Sequence, residues 1–386
     1  MNINSYIKVN KNKSFEELPF NYVDGLILSE LSYINLDILL YRKDELKLKD
    51  IDKSKLNKKV FERSVDASKN KIMLNLMIDA PRYQDLIVRD VERSFSSEEG
   101  NQFLAMTIKF PDGRLFLSYR GTDTTLTGWK EDAFLIYKDT ILAQDEAIEY
   151  ALRLLRGKKI PFYLAGHSKG GNLAFYTALN LPSKEAEYLI EAYSYDGPGF
   201  KDGIENYPSY HNVINKMVKF RTYNNVIGSF FNNMKKYKVV HSTGLLFGGH
   251  DPFYWQVGKD NDFIYKKDIS KTSKKYSKRV MNWLESLTYE DRKLATDALF
   301  DLFDSSETIY DLFKNFGKDI IHRNERLKDY TEEEKIKLRV IIRRFLAFVF
   351  GASSVKEMKK NQEILDNELK SYEKKKIKSL NSKAIE

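Results

Sequence analysis

The sequence contains no cysteine, which excludes a disulfide framework, a cysteine nucleophile and a thiolate metal site. No run approaches the roughly 18 consecutive apolar residues that a membrane-spanning helix requires. Residues 1–13 are polar and rich in Asn and Lys, so they lack the apolar stretch of a secretory signal. These absences predict a soluble, cytoplasmic protein.

Proline and glycine become scarce toward the C-terminus. All eight prolines lie at or before Pro252, and only two glycines follow Gly258. A long stretch with few helix-breaking residues and many Lys, Glu and Leu favours helices. We therefore predict a domain over residues 1–258 and an all-helical C-terminal region over residues 259–386 that ends in a charged tail.

The 386 residues are 42% apolar, which is enough for a sizeable core, and they include 24 Phe and 24 Tyr. The net charge of +9 comes from 64 Lys plus Arg against 55 Asp plus Glu. This modest excess permits contact with an anionic membrane or with nucleic acid without demanding either. No nucleic-acid recognition motif accompanies the charge, so we expect no nucleic-acid partner.

Strand and helix signals alternate through the first domain. Two apolar stretches joined at Pro111-Asp112-Gly113 predict a hairpin, and later strand signals are separated by helical ones, which is typical of parallel strands joined by crossover helices. The predicted strands are 103–110, 114–119, 160–165, 188–195 and 218–223, and the predicted helices are 146–155 and 172–181. The pattern predicts an α/β fold with a mostly parallel sheet flanked by helices.

A helix is also predicted near the N-terminus. Ser14 and Glu17 fit a capping box, and apolar residues recur at helical spacing from Val23 to Ile34. The helix is expected to follow directly from this box.

The strongest local signal for chemistry is GHSKGG at residues 166–171. A nucleophile elbow needs small residues on both sides of a serine in a sharp turn between a strand and a helix. Ser168 is the predicted nucleophile, and the backbone N–H of Lys169 is the predicted first donor to an oxyanion. The alternative is a glycine-rich turn in which Ser168 only caps the helix.

A serine nucleophile needs a base, and the chain has five histidines: His167, His211, His241, His250 and His322. His167 adjoins the serine, where packing is its expected role, and His322 lies in the helical region. His250 follows a glycine-containing run and comes after the serine in the chain, as a triad base of this type does. We therefore predict His250 as the base, with His241 and His211 behind it.

The acid of the triad is expected between the serine and the histidine. Asp196 ends the first strand after the elbow and is the favoured candidate, although it has the alternative role of bracing the following turn. After the next strand the sequence offers Asn225, whose amide would orient an imidazole but compensate its charge poorly. Asp202 is an outside candidate, and Asp251 is expected to anchor the loop of His250.

A second oxyanion donor is expected in the loop after residues 114–119. Thr122 follows an apolar strand and a glycine there, so its backbone N–H, with its hydroxyl as a further donor, is the predicted group. The alternative is an ordinary turn with an Arg120–Asp123 pair on the surface. Apolar residues that precede His250 are expected either to line an acyl-binding pocket, to form a lid or to pack in the core: Ile227, Phe230, Phe231, Leu245, Leu246 and Phe247.

Several segments together resemble a bacterial family of uncharacterised α/β-hydrolases that is related to the class 3 lipases. They are FNYVDGLILSELSY (20–33), FLSYRGTD (116–123), LAGHSKGGNLA (164–174), YSYDGPGF (193–200) and HDPFYW (250–255). The resemblance implies an α/β-hydrolase fold with Ser168 as nucleophile and His250 as general base. It also implies that the turn at residues 120–122 forms the oxyanion hole.

One position departs from the family relationship. Class 3 lipases place their aspartate where Asn225 stands, whereas Asp196 followed by Gly-Pro is similar to the acid site of pancreatic-type lipases. The identity of the third triad member is therefore the open part of the resemblance.

These observations predict a serine esterase or lipase that acts on a small-molecule or lipid ester through an acyl-enzyme, without metal or organic cofactor. One alternative is a hydrolase scaffold that binds or regulates without turnover, and another is a thioesterase or amidase with the same triad. Near the C-terminus, apolar residues between 336 and 348 alternate with arginines and predict either helix packing or contact with anionic membrane. The oligomeric state is not predicted.

Overall fold

The computed structural model describes residues 1–40, 44–64, 66–96, 100–123, 125–135, 137–201, 203–224, 228, 230–231, 234, 236–244, 246–302, 328, 330–338 and 340–341. The chain divides into two compact units, one from Met1 to Lys274 and one from Lys275 to Glu386. Residues between Gly258 and Lys274 thus belong to the first unit, whereas the sequence analysis places its domain boundary at Gly258.

Nine strands form one sheet within the described residues, in the same order as they follow in the chain. Strands β4 to β8 are parallel to one another, and antiparallel pairs extend the sheet at both edges. The strands are β1 (Glu45–Lys47), β2 (Ile87–Ser96), β3 (Asn101–Lys109), β4 (Leu115–Tyr119), β5 (Phe162–His167), β6 (Leu189–Tyr195), β7 (Met217–Thr222), β8 (Lys238–Val240) and β9 (Tyr265–Lys266).

Helices lie before and after β1 in the chain, and later helices connect the parallel strands. Those of the first part of the chain are α1 (Ile3–Asn10), α2 (Tyr22–Glu30), α3 (Asp37–Leu40), α4 (Lys58–Phe61), α5 (Ala67–Asp79) and α6 (Pro81–Gln84). The connecting helices are α7 (Leu126–Phe134), α8 (Leu142–Leu155), α9 (Lys169–Asn180), α10 (Ser183–Ala186) and α11 (Tyr210–Val213). The α/β architecture with a sheet flanked by helices, which the sequence predicts, is confirmed.

The sheet buries both of its faces. Successive side chains of a strand point to opposite faces, and accordingly Tyr163 packs in one hydrophobic cluster while Leu164 packs in another. The first cluster contains residues of α1, α2 and α5, and the second contains residues of α8 and α9. Burial on both faces explains why β5 reads as a continuous apolar run in the sequence.

The predicted hairpin and the parallel strands after it are present. Strands β3 and β4 pair antiparallel, with Ala105 opposite Tyr119, and Gly113 N–H donates to the Phe110 carbonyl at 3.0 Å in the turn. Strands β5, β6 and β7 lie within two residues of their predicted bounds. The carboxyl ends of these parallel strands therefore meet at one edge of the sheet.

The predicted start of the N-terminal helix is wrong. Ser14 and Glu17 do exchange capping-box hydrogen bonds, at 2.8 Å and 3.2 Å, but they close only a turn. Helix α2 begins at Tyr22, where Asn21 accepts from the Asp24 N–H at 3.2 Å and Asp24 accepts from the Asn21 N–H at 3.2 Å. A second box nearer the apolar residues therefore sets the helix start.

A buried charge cluster ties α2 to α6. Asp24 accepts hydrogen bonds from Arg82 Nη2 at 2.5 Å, from Arg82 Nε at 3.0 Å and from the Tyr83 hydroxyl at 2.6 Å. The side chains of Asp24 and Arg82 have no exposed area. Such a pair is stable only when its hydrogen bonds are satisfied, and here the bidentate contact provides that.

The second unit contains most of α12 (Lys271–Glu285) and all of α13 (Tyr289–Leu302). Arg292 Nε donates to the Leu284 carbonyl at 2.9 Å. Val340 and Ile341, which belong to the predicted amphipathic segment, are buried; residues 342–348 and His322 lie outside the described residues. None of the described helices combines the length and apolar character needed to cross a bilayer.

Candidate active site

The turn between β5 and α9 is sharp and strained at Ser168. Its backbone has φ 57° and ψ −130°, a conformation that is costly for a residue with a side chain. A Cβ added to Gly166 would lie 2.3 Å from the Gly170 carbonyl carbon, and one added to Gly170 would lie 2.0 Å from the Tyr119 carbonyl oxygen. Only glycine fits at either position, as the predicted elbow requires.

The elbow is joined to the end of the neighbouring strand. Ser168 N–H donates to the Tyr195 carbonyl at 2.9 Å, so the serine lies beside the residue that precedes Asp196. A Cβ added to Gly197 would lie 2.7 Å from the Ser168 carbonyl oxygen. The elbow and the carboxyl end of β6 are therefore in direct contact.

Asp196 and His250 form a hydrogen-bonded pair. His250 Nδ1 lies 2.7 Å from Asp196 Oδ2, and the exposed fractions of the two side chains are 15% and 1%. Because a carboxylate accepts, Nδ1 carries the proton in this arrangement and Nε2 keeps a lone pair. The imidazole is thus oriented by a buried carboxylate while one edge reaches solvent.

The Asp196 carboxylate is itself fixed in place. It accepts from Thr222 N–H and from the Thr222 hydroxyl, both at 3.1 Å, and its backbone has φ 54°. A Cβ added to Gly228 would lie 2.3 Å from Asp196 Oδ1. Neither Thr222 nor Gly228 was among the residues predicted from the sequence, although Thr222 stands at a strand end, where a polar residue is a signal for a site.

The other candidates for the acid lie elsewhere. Asn225 and Asp202 are outside the described residues. Asp251 contacts Lys69 Nζ at 2.9 Å and accepts from Phe253 N–H at 2.9 Å. It therefore anchors the loop after His250, as predicted. Of the alternative bases, His211 is exposed and His241 is half-buried.

His167 connects the elbow with the loop of His250. The two imidazole rings lie 4.4 Å apart between centroids, and His167 Nε2 lies 2.9 Å from the His250 carbonyl oxygen. Since a carbonyl only accepts, Nε2 must carry the proton and Nδ1 must accept. His167 therefore does more than the packing expected of it.

The accepting side of His167 faces two buried groups. Its Nδ1 lies 3.4 Å from the Tyr33 hydroxyl and 3.5 Å from Glu30 Oε1. Burial raises the pKa of Glu30 well above its usual range, while burial and then His250 hold the pKa of His167 well below its own. Burial thus favours the neutral form of both groups. In the sequence, Glu30 is only a charged residue on an apolar helix, which does not indicate a contact with His167.

The loop after β4 packs against the elbow. A Cβ added to Gly121 would lie 2.5 Å from the His167 carbonyl oxygen and 3.0 Å from Ser168 Cβ. The adjacent Thr122 is buried, and its hydroxyl donates to Asp132 Oδ2 at 2.5 Å. Thr122 thus stands next to the candidate nucleophile.

The pair of Arg120 and Asp123 is not on the surface, so the alternative of a surface ion pair is wrong. The side chains are 7% and 0% exposed, and Arg120 Nη2 lies 3.8 Å from Asp123 Oδ2. Asp123 Oδ1 also accepts from Thr125 N–H at 2.8 Å and from its hydroxyl at 2.6 Å. These contacts hold the loop that carries Thr122.

Lys169 opens α9, where the first backbone N–H groups have no acceptor within the helix. Its side chain turns inward: Nζ contacts Glu131 and donates to the Gln102 carbonyl at 2.7 Å. Asp132, which follows Glu131 in α7, has its Oδ1 shielded from solvent and without a hydrogen-bond partner in the described part of the chain. Burial raises the pKa of Asp132 to about 6, although Lys169 and the Thr122 hydrogen bond oppose this.

The predicted acyl-binding residues are described only in part. Phe230 and Phe231 are half-buried, and the Phe230 carbonyl accepts from Gly199 N–H at 2.8 Å. Leu246 begins a short turn that leads to His250, but its side chain, like that of Phe247, lies outside the described part, as do Ile227 and Leu245. Their substrate-binding role stays a prediction.

In the described ranges, no group of three or more His, Asp or Glu side chains is arranged so that it could hold a metal ion. A hydroxyl on a strained turn, an oriented imidazole and backbone N–H groups at a helix start can together perform nucleophilic acyl transfer.

Comparisons with known proteins give two matches. A family model described as Mbeg1-like matches residues 77–301, which is 225 of the 386 residues and includes Ser168, Asp196 and His250. The crystal structure of M37 lipase is similar over 53% of this chain and 67% of the other, with 11% identity and a TM-score of 0.34. No curated protein matches the chain.

Proposed function

The chain belongs to the Mbeg1-like family, and from that premise we propose that it is a serine hydrolase of the esterase or lipase type with an α/β-hydrolase fold related to the class 3 lipases. One observation carries the proposal. The His250 imidazole, bonded to buried Asp196 at 2.7 Å, lies against His167, the residue directly before the strained Ser168.

In the first half-reaction, Ser168 Oγ attacks the carbonyl carbon of an ester. His250 Nε2 takes the hydroxyl proton as the new C–O bond forms, and the carbonyl electron pair moves onto oxygen. Collapse of the tetrahedral species breaks the bond to the alcohol, which leaves with the proton from Nε2. The acyl group remains on Ser168.

The second half-reaction repeats these steps with water. His250 Nε2 removes a proton from the water that attacks the acyl carbon, and then returns the proton to Ser168 Oγ as the acid leaves. Asp196 keeps the imidazole in the productive tautomer and stabilises the imidazolium that forms in both steps.

Two groups would stabilise the negative oxygen. The Lys169 N–H points from the start of α9, where the helix dipole also favours negative charge, and Thr122 lies in the loop packed on the elbow. The substrate is a small-molecule or lipid ester whose acyl chain would contact Phe230, Phe231 and Leu246. Thioesters and amides share this chemistry, so a preference among the three is a matter for measurement.

The test uses a fluorophosphonate probe and p-nitrophenyl esters of graded chain length. Ser168 Oγ should displace fluoride from phosphorus and become labelled, and the wild type should hydrolyse the esters with a preference that reports pocket depth. Ser168→Ala should lose both activities without a change in melting temperature. Ser183→Ala, which changes an exposed serine, is the matched control and should keep them.

Persistent ester turnover by Ser168→Ala would overturn the proposed mechanism. If the folded wild type neither reacts with the probe nor turns over esters or thioesters, the alternative of a scaffold that binds or regulates without turnover takes its place.

A further inference from the structure

Helix α7 presents two neighbouring carboxylates to two different residues of the proposed oxyanion hole. Glu131 contacts the Lys169 ammonium, and Asp132 accepts from the Thr122 hydroxyl at 2.5 Å. One short helix therefore holds both candidate donors.

The contact between Glu131 and Lys169 is fully enclosed. The exposed fractions of the two side chains are 1% and 0%. A lysine is almost never buried to this extent without a counter-charge, and removal of one partner of such a pair leaves an uncompensated charge. The pair therefore fixes the side chain of the residue that opens α9.

Strand β3 reinforces this arrangement through Gln102. Its carbonyl accepts from Lys169 Nζ at 2.7 Å, and its N–H donates to Glu131 Oε2 at 3.3 Å. Its side-chain oxygen accepts at 3.2 Å from the N–H of Asp123, the residue after Thr122. Lys169 and the loop of Thr122 are therefore both attached to strand β3 and to helix α7.

The elbow chemistry does not itself need a charge at position 169, because the residue after the nucleophile contributes only its backbone N–H. The long, buried side chain of Lys169 must serve another purpose. A displacement of about 1 Å is enough to cost a large part of the rate in a preorganised site.

We propose that Glu131 is a positioning residue of the oxyanion hole: through its buried contact with Lys169 it sets the first donor relative to the second, which Asp132 holds from the same helix. The inference rests on the proposed hydrolase function and adds to it a residue that touches no reacting atom.

The decisive experiment compares Glu131→Gln with wild type in three measurements: the fraction of protein titrated by fluorophosphonate, and kcat and KM for a p-nitrophenyl ester. Loss of one complete oxyanion donor costs on the order of 100-fold or more in kcat, so a displaced donor should cost at least about tenfold. We expect full titration, KM within about twofold of wild type, and kcat reduced by about tenfold or more.

A merely structural role gives a different pattern. It lowers activity in proportion to the titratable fraction and leaves kcat per titrated site unchanged, and that result would overturn the inference. Glu185→Gln is the matched control, since it changes a buried carboxylate that accepts a hydrogen bond from the Gly157 N–H at 3.2 Å; its kcat should stay at the wild-type value.

A second variant keeps the inference testable if Glu131→Gln fails to fold. Lys169→Met combined with Glu131→Gln removes both charges at similar volume, so no buried charge is left without its partner, and it retains the N–H of residue 169. We expect a folded protein with kcat still reduced by at least about fivefold; a wild-type kcat contradicts the inference. If the wild type and Glu185→Gln are themselves inactive, it is the proposed function that fails.

Discussion

His167 Nε2 donates a hydrogen bond to the main-chain carbonyl of His250 at 2.9 Å, so the residue before the candidate nucleophile holds the loop of the candidate base. The bond joins the strand end at β5 with a loop 83 residues later. Any movement of that loop must break or stretch it.

Replacing His167 with Phe should therefore lower kcat by about tenfold. The aromatic ring keeps most of the volume, but the His250 carbonyl loses its donor, which costs about 1–3 kcal/mol of local stability. Ester hydrolysis and thermal unfolding measure the two effects. His211→Phe, at an exposed histidine, is the control, and an unchanged kcat in His167→Phe would show that the bond does not position the base.

Asp196→Asn should reduce kcat by about four orders of magnitude, because an amide facing Nδ1 favours the tautomer in which Nε2 carries the proton and cannot act as a base. Fluorophosphonate labelling should slow in parallel. The matched change Asp139→Asn alters a largely exposed carboxylate that pairs with Lys201 and should leave both rates intact. A loss below about tenfold in Asp196→Asn would mean that another residue orients His250.

Asp24→Ala should destabilise the first unit by about 3–5 kcal/mol, because Arg82 would stay buried with no counter-charge. Urea unfolding measures the change. Asp52→Ala, at an exposed carboxylate that caps a turn through Ser54, serves as the comparison, with an expected cost of about 1 kcal/mol. Equal costs at the two positions would contradict the role assigned to the buried cluster.

Asp132 should make the protein less stable as the pH rises. Burial raises its pKa to about 6 in the folded state, so the folded chain keeps a proton that the unfolded chain releases near pH 4. The unfolding free energy therefore falls as the pH increases from about 4 to 6, and between pH 4.5 and pH 7.5 this group should contribute a loss of about 2 kcal/mol.

The variant Asp132→Asn should lack that contribution, so its unfolding free energy should change less between the two pH values than that of the wild type. Asp139→Asn provides the control. An identical pH dependence of the unfolding free energy in wild type and Asp132→Asn would contradict the prediction.

The sheet centre and the elbow could be predicted because their signals are local. Strand β5 contains a short apolar run, residues 162–165, between Pro161 and Gly166, and its burial on both faces leaves no polar alternation to confuse the pattern. The glycines around Ser168 are a local sequence signal, and the structure shows the lack of space for a Cβ that they satisfy, against Gly170 at position 166 and against the Tyr119 carbonyl at position 170. Chain order places the acid between Ser168 and His250, and Asp196 is favoured over Asn225 because an amide compensates the charge of an imidazolium poorly.

The buried glutamates that contact the residues on either side of Ser168 could not be predicted in the same way. Glu30 and Glu131 are charged residues on helices, and in a sequence such residues indicate a solvated face. Their burial depends on partners far along the chain, such as His167 for Glu30. Strands β8 and β9 have three and two residues, which is too short for a periodic pattern to form.

The in-order arrangement of the central strands has a consequence for how the protein matures during synthesis. Ser168 and Asp196 come from consecutive strands, whereas His250 follows Asp196 by 54 residues and arrives after the last parallel strand. Because a domain generally folds as a unit, a nascent chain that has not yet released His250 lacks both the complete sheet and the proposed base. Under the proposed function we therefore expect such a chain to be inert toward esters.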